Sequence, residues 1–360
     1  MKNKLITTAL TSSLLAVCAG SAIAQTTVSG NLDISYNAVS ADTSALTGNS
    51  YRGFGKEAQI NISNKGKLSN GIDYAAGFSW EIDGPDTLTT AAALENNYID
   101  FIFNNGATTL SLSVDHVNTS DQTLVNPVGY GYVGGAGIAN SSSIYPNNLA
   151  DNNSLGVAVE HKFGTTLKIT ANYMPNAEQA YSNDVANSLV STQVENSTNS
   201  KKSLILQGDL GVKGLNVLAA KTWEKAEITT ANTLPTDKDG VRYAIAYNFG
   251  QVTVAADKIT SEGQNATRSG TAATLGNETL KGKAVGLAYA IDKDLSVGVY
   301  KGSATTTLAT APEKEKITGY TVGYNLGAVT LQAQYRDIEN VAGVQANDGK
   351  MGGIKVSTKF

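Results

Sequence analysis

The chain has 360 residues, with 27 basic and 31 acidic side chains and a single cysteine, Cys18. The acidic balance argues against a nucleic-acid partner, which calls for a clustered basic face. One thiol can form neither an internal disulfide nor a thiolate-rich metal centre.

The first residues read as a secretory signal. Lys2 and Lys4 supply the positive start, residues 5–17 a short apolar core, and Ala22, Ile23 and Ala24 a small-residue cleavage site. Cleavage after Ala24 leaves residues 25–360 as one domain and removes Cys18. An uncleaved anchoring helix is the plainer alternative, but the apolar core is short for a membrane span. Leu15, Ala16, Val17 and Cys18 loosely resemble an acylation motif, in which Val17 is too large for its position. Without Lys2 and Lys4 the balance becomes 25 basic against 31 acidic, or −6.

From Val28 onward the chain keeps a period of two. Val28, Gly30, Leu32, Ile34 and Tyr36 alternate with Ser29, Asn31, Asp33 and Ser35. The rhythm returns at Phe54, Ala58, Ile60 and Ile62, then at Ile72, Tyr74, Phe78 and Trp80, then at Ile99, Phe101 and Phe103. Leu110, Leu112 and Val114 close the first group. Such alternation marks strands with one apolar and one polar face. The longer runs approach the ~9–11 residues that a tilted strand needs to cross a bilayer.

Residues 115–153 then break the rhythm. They hold Gly129, Gly131, Gly134, Gly135 and Gly137, a serine run from Ser141, and Pro127 and Pro146. A stretch that long without its own rhythm is a functional loop, a linker, or a sign of misread elements.

Alternation resumes at Leu155, Val157 and Val159 and continues through Leu167 and Tyr173, Leu204 and Leu206, and Leu215 to Trp223. Tyr243, Ile245, Tyr247 and Phe249 follow, then Val252 and Val254, Val285 and Leu287, Leu295 and Val299. Tyr320 and Tyr324, Val329 and Tyr335, and finally Ile354, Val356 and Phe360 bring the total to about sixteen strands.

The connections alternate between short and long. Glycine-bearing turns at Gly106, Gly164, Gly214, Gly250 and Gly327 suit tight hairpins. Between them, residues 175–202, 225–239 and 261–280 read as long polar connections. A sandwich has no reason to gather its short turns at one end, whereas outer-membrane barrels do. The expected fold is therefore all-β: a transmembrane antiparallel up-and-down barrel. Its apolar face carries many of the 16 tyrosines near strand ends, as interfacial girdles require. The other face carries Gln207, Asp209, Arg242, Asn248, Gln332 and Arg336. A charge facing mid-bilayer costs ~2–4 kcal/mol, so these side chains should face the lumen. With about sixteen strands that lumen is wide enough for water.

Taken together, the signal, the strand count, the loop alternation and the ending Lys359, Phe360 resemble the general Gram-negative outer-membrane porins over the whole mature chain. Leu68, Ser69, Asn70 and Gly71 resemble a turn common in that family, and Asn97, Tyr98, Ile99 and Asp100 its fourth strand. The resemblance implies a homotrimer of sixteen-stranded barrels in the outer membrane, in contact with its lipid and lipopolysaccharide. It implies that Phe360 addresses the barrel-assembly machinery, and that an inward-folded third loop, here residues 115–153, narrows each pore. No cofactor or metal is expected.

The departure from the family lies on the wall opposite that loop. Many of these porins carry an arginine ladder on the early strands; here those positions hold Asp33, Asp73, Asp100 and Asp115. The loop adds Asp121 and Asp151 without a basic residue, and basic lining candidates come later: Lys168, Arg242, Arg336, Lys355 and Lys359. With Asp209 these form the expected pore lining, and they suggest a weak cation preference.

Sharper chemistry finds little support. His116 and His161 are the only histidines, and neither shows a nucleophile within reach, so strand-end exposure is the simpler reading. Asp33, Asp73 and Asp100 lack the spacing of a Ca²⁺ loop. The glycines from Gly129 to Gly135 lack the Lys-Ser/Thr and helix of a phosphate loop. Glu313, Lys314, Glu315 and Lys316 read as a solvated loop. The expectation is a non-enzymatic, passive diffusion channel for ions and small hydrophilic solutes. A substrate-specific channel and a non-conducting adhesin or structural barrel are the alternatives, with a barrel enzyme behind them.

Overall fold

A computed structural model describes residues 25–41, 51–85, 93–114, 155–174, 198–227, 237–269, 272–306, 314–340 and 348–360. The signal segment, the 115–153 stretch with His116, Asp115, Asp121 and Asp151, and Glu313 lie outside them.

The strands, in chain order, begin with β1 (Gln25–Ala41), β2 (Tyr51–Lys67), β3 (Asp73–Pro85), β4 (Ala93–Phe103) and β5 (Thr108–Val114). Next come β6 (Leu155–Phe163), β7 (Leu167–Met174), β8 (Thr198–Gly208), β9 (Leu215–Glu227), β10 (Asp237–Phe249) and β11 (Val252–Ser269). The last are β12 (Ala272–Ala290), β13 (Leu295–Thr306), β14 (Glu315–Asn325), β15 (Val329–Glu339) and β16 (Gly349–Lys359). Each pairs antiparallel with its chain neighbours, and β1 pairs with β16, which closes a sixteen-strand barrel. Closure leaves no edge strand, as a sheet in lipid requires.

The short connections after β2, β4, β6, β8, β10, β12 and β14 lie at one rim. Gly71, Gly106, Gly164, Gly211, Gly214, Gly250 and Gly327 adopt positive φ there, between 66° and 89°. Asn104 and Asn105 do the same in a single 3₁₀ turn, where a short amide side chain tolerates the left-handed region. The start of β1 meets the C-terminal residue at this rim. The Gly30 amide donates to the Phe360 carbonyl at 2.8 Å, and the Phe360 amide donates back at 3.0 Å. Gly30 has no alternative here: a Cβ would lie 2.5 Å from the Phe360 ring and 2.7 Å from the Gln59 carbonyl oxygen.

One expected long connection proves to be strand. Residues 261–280 extend β11 and β12 as a hairpin arm, with pairing from Ser261↔Leu280 to Ser269↔Ala272. The sequence of the arm carries no sustained apolar alternation, so the period-two signal fades while the pairing does not. Likewise Glu315 and Lys316 are strand rather than loop: Glu315 is buried, and Lys316 pairs with Glu339 at 2.7 Å. Strand parity sends the two charges to opposite faces.

The outward face is a belt of exposed apolar groups that includes Ile34, Ile60, Trp80, Ile99, Leu204, Tyr243, Val285, Tyr320 and Ile354. Water would not tolerate a patch of that extent, and lipid requires it. At the short-turn rim the belt ends in aromatic groups. Tyr247 stacks on Phe249 with ring centres 5.9 Å apart, and His161 meets Phe163 edge-on at 4.6 Å. His161 is half-buried and shares a 2.8 Å hydrogen bond with the Thr108 hydroxyl.

Candidate functional site

Strand parity aims every second side chain of each strand inward, and the inward faces form two unlike walls. Across β2–β9, an open cleft of about 470 Å³ is lined by Lys65, Tyr98, Asp100, Glu160, Lys162, Lys168 and their neutral neighbours. Glu160 is its hub. Lys168 donates to it at 3.1 Å, Lys162 lies 3.7 Å away, and the Thr170 hydroxyl approaches at 3.5 Å. The side chains of Lys162 and Lys168 remain 51% and 38% exposed, so water screens these pairs. The Ser111 hydroxyl donates to Asp100 at 2.6 Å, and the Asn172 amide donates to the Ser203 hydroxyl at 2.8 Å.

Across β10–β15 the inward charges are buried. Arg242 on β10 donates through Nε and Nη2 to both carboxylate oxygens of Asp257 on β11, and the two side chains are only 7% and 8% exposed. The planar fork of a guanidinium suits this two-oxygen grip, where lysine would offer a point charge. Arg336 on β15 is also buried, with its guanidinium carbon 6.0 Å from the Tyr300 ring centre. Its Nη2 donates to Gln334 at 3.3 Å. Tyr300 faces Gly319 on β14, where a Cβ would come within 2.2 Å of the ring. Glycine at that position is what lets the ring lie flat across the neighbouring strand.

A third group joins the walls through β16, β1, β2 and β3. Lys355 donates to Asp33 at 2.8 Å, Asn31 to Glu57 at 3.4 Å, and Gln59 to Glu81 at 3.1 Å. Rungs of this kind tie adjacent strands on their wet face.

Of the expected lining residues, Asp33, Asp100, Lys168, Arg242, Arg336 and Lys355 stand on inward positions of the strands. Asp73 lies at the short-turn rim, half-exposed and 2.8 Å from Lys67. Asp209 sits in the β8–β9 turn, where its carboxylate accepts from the Gly211 amide at 2.9 Å. The alternation that suggested an inward side chain stops at Gly208, whose φ is 136°. Phe360 is exposed at the β1–β16 seam.

The alternation already puts Glu57 and Glu81 on the polar face of their strands, though it does not single them out as lining charges. Sequence reasoning missed Glu160, Lys162 and Asp257 as inward charges, and parity predicts each of them once the strand is extended by one to three residues past Val159 or Ala256. Among the described residues, no His/Cys/Asp/Glu group is arranged to hold a metal ion.

A family model described as "Gram-negative porin" matches residues 9–342. Among solved structures, an anion-selective porin from Comamonas acidovorans superposes with a TM-score of 0.69 at 14% identity, covering 94% of this chain and 100% of that one. The OmpT outer-membrane protein of Vibrio cholerae, in a form lacking loop L8, gives 0.63 at 12% identity, covering 94% and 99%. A mutant of the Rhodopseudomonas blastica porin gives 0.57 at 15% identity, covering 93% and 100%. At these identities the likeness is one of fold. No curated protein matches in sequence.

Proposed function

The chain belongs to the Gram-negative porin family, and from that premise we propose that it forms a water-filled channel through which ions and small hydrophilic solutes diffuse passively. The family match and the sixteen-strand fold make it an outer-membrane β-barrel, and membership of a porin family supports a channel over an enzyme. The observation that carries the finer reading is the contrast between faces: a continuous apolar belt outside, and carboxylates, lysines, amides and hydroxyls inside. An inward face this polar is stable only if wet, and no step of bond chemistry is needed for conduction.

Selectivity would come from the lining charges. We assign a weak cation preference. The outward face takes many of the lysines, among them Lys202, Lys221, Lys258, Lys283, Lys301 and Lys316, while its carboxylates are few. The acidic excess therefore falls to the lumen and loops, where Asp115, Asp121 and Asp151 add to it. The Comamonas acidovorans porin is anion-selective, but at that distance its lining charges do not transfer.

We further infer cleavage after Ala24, assembly as a homotrimer, narrowing of the pore by an inward-folded third loop, and delivery to the barrel-assembly machinery through Phe360. Single-channel recording on purified protein tests the central reading: stepwise conductance in multiples of three, with permeation cut off by solute size, is expected. Conductance that saturates with one solute would instead indicate a substrate-specific channel, and silent insertion would indicate a structural barrel.

A further inference from the structure

The open cleft on the β2–β9 wall has two charged poles that its own contacts leave unbalanced. At the first, Lys162 on β6 and Lys168 on β7 are direct cross-strand partners. Both ammonium groups lie against the single carboxylate of Glu160, at 3.7 and 3.1 Å. Like charges directly opposite each other repel, and one carboxylate cannot neutralise two cations. A positive charge is left over, on side chains that stand half in water.

At the second pole Asp100 on β4 accepts from the Ser111 hydroxyl at 2.6 Å, and no ion pair reaches it among the described residues. Lys65, the remaining cation of the cleft, stands beyond Ala75, which faces Asp100 on β3. Between the poles lie two hydroxyl positions on β5, Ser111 opposite Asp100 and Thr109 opposite Glu160. Beneath them the buried Ala158, Ile205 and Leu218 make an apolar floor. At about 470 Å³ the cleft falls within the roughly 300–1,000 Å³ of ligand pockets.

The spacing of the poles selects among charged solutes. Asp100 and Glu160 stand two strands and two residues apart, roughly 12 Å on a grid of about 4.8 Å per strand and 3.3 Å per residue. Two extended residues span at most ~7 Å, and a hydrogen bond of about 2.8 Å at each end completes the distance. A free amino acid is too short to touch both poles. A dicarboxylate of dipeptide length would set one carboxylate against Asp100. It could not join Lys162 to Lys65 instead, because β6 and β2 are four strands apart, or roughly 19 Å.

We propose that this cleft is a subsite for zwitterionic solutes of dipeptide size, with the carboxylate on Lys162 and Lys168 and the ammonium on Asp100. The proposal rests on the reading of the barrel as a wet channel, since the solute must reach the inner wall through the lumen. The subsite delays a dipeptide in passage and leaves the path open to other solutes.

The test is equilibrium binding to the folded full-length barrel in detergent, read by saturation-transfer NMR. The probes are dialanine, its N-acetyl form without the ammonium, its amide without the carboxylate, alanine and succinate. Dialanine should bind tightest, and each of the others on the order of 10-fold more weakly. Asp100→Asn should weaken dialanine on the order of 10-fold without weakening the N-acetyl form. Lys162→Gln/Lys168→Gln should weaken dialanine to a like extent without weakening the amide. Glu160→Gln removes the competing carboxylate and keeps both lysines, so it should tighten dialanine, and it keeps the proposal testable should the double variant fold poorly. Lys293→Gln, in the β12–β13 turn, is the control and should change nothing. Equal affinity for dialanine and its two blocked forms would overturn the proposal. So would unchanged dialanine binding in Asp100→Asn or in the lysine variant, weaker binding in Glu160→Gln, or succinate binding as tightly as dialanine. Salt conductance without peptide is read separately: its absence would bear on the channel reading, whereas conductance without dialanine binding would remove the subsite alone.

Discussion

The β10–β15 wall and the β2–β9 wall are built from the same alternating strands, yet their inward charges sit in different surroundings. Arg242 and Arg336 are 5% and 4% exposed and gripped by neighbours. Lys162 and Lys168 are wet and share one carboxylate at 3.7 and 3.1 Å. A buried ion pair is a structural commitment, because removing one partner strands the other without water. A hydrated pair contributes little stability and is free to act on passing ions. Burial, more than residue type, separates the structural charges from those that the proposed channel would use.

Arg242→Ala should break that distinction most visibly. It leaves Asp257 buried and unmatched, at a cost of about 3–5 kcal/mol. Replacing both residues with apolar ones of similar volume should recover most of the loss, as read by thermal or urea unfolding of the folded barrel.

Gly319→Val comes next. The new side chain must displace the buried Tyr300 ring, which is held beside Arg336. Overpacking of this kind costs about 1–3 kcal/mol. The same measurement should show it, and Gly53→Val, where nothing lies within 4 Å of a Cβ, serves as the control.

On the open wall the effects should reverse in kind. Glu160→Gln and Lys162→Gln/Lys168→Gln should each change stability by no more than about 1 kcal/mol. They should move ion selectivity in opposite directions: the first toward anions, the second toward cations. A large loss of stability with unchanged selectivity would erase the contrast between the walls.

The smallest expected effect lies outside both walls. In the β12–β13 turn, the amides of Asp294 and Leu295 donate to the Asp292 carboxylate at 2.7 and 2.8 Å. These bonds hold its pKa below the ordinary aspartate value. A lowered folded pKa means the bonds stabilise above the unfolded value and fade as pH falls through the folded one. Asp292→Ala should therefore lower the unfolding midpoint slightly at neutral pH and not at all in strong acid.

The strand count, the closure and the in-out order of side chains were all legible in the alternation itself, because lipid outside and water inside impose it on every strand. Where one of those solvents is missing, the signal fails. The β11–β12 arm lacks a sustained apolar alternation in sequence and reads as loop, although its pairing runs unbroken to Ser269 and Ala272. The site was legible in part. Asp100 and Lys168 follow from parity, but Glu160 and Asp257 sit just beyond the last apolar residue of their strands. The distinction between Arg242 and Lys168 was not legible at all, since burial depends on neighbours across several strands.

The most direct test of the account is the reversal potential of the wild-type channel in a salt gradient across a planar bilayer. A potential of the sign that marks cations as modestly more permeant, reduced by Glu160→Gln, is the predicted result. A clear anion preference, or no conductance at all, would contradict it.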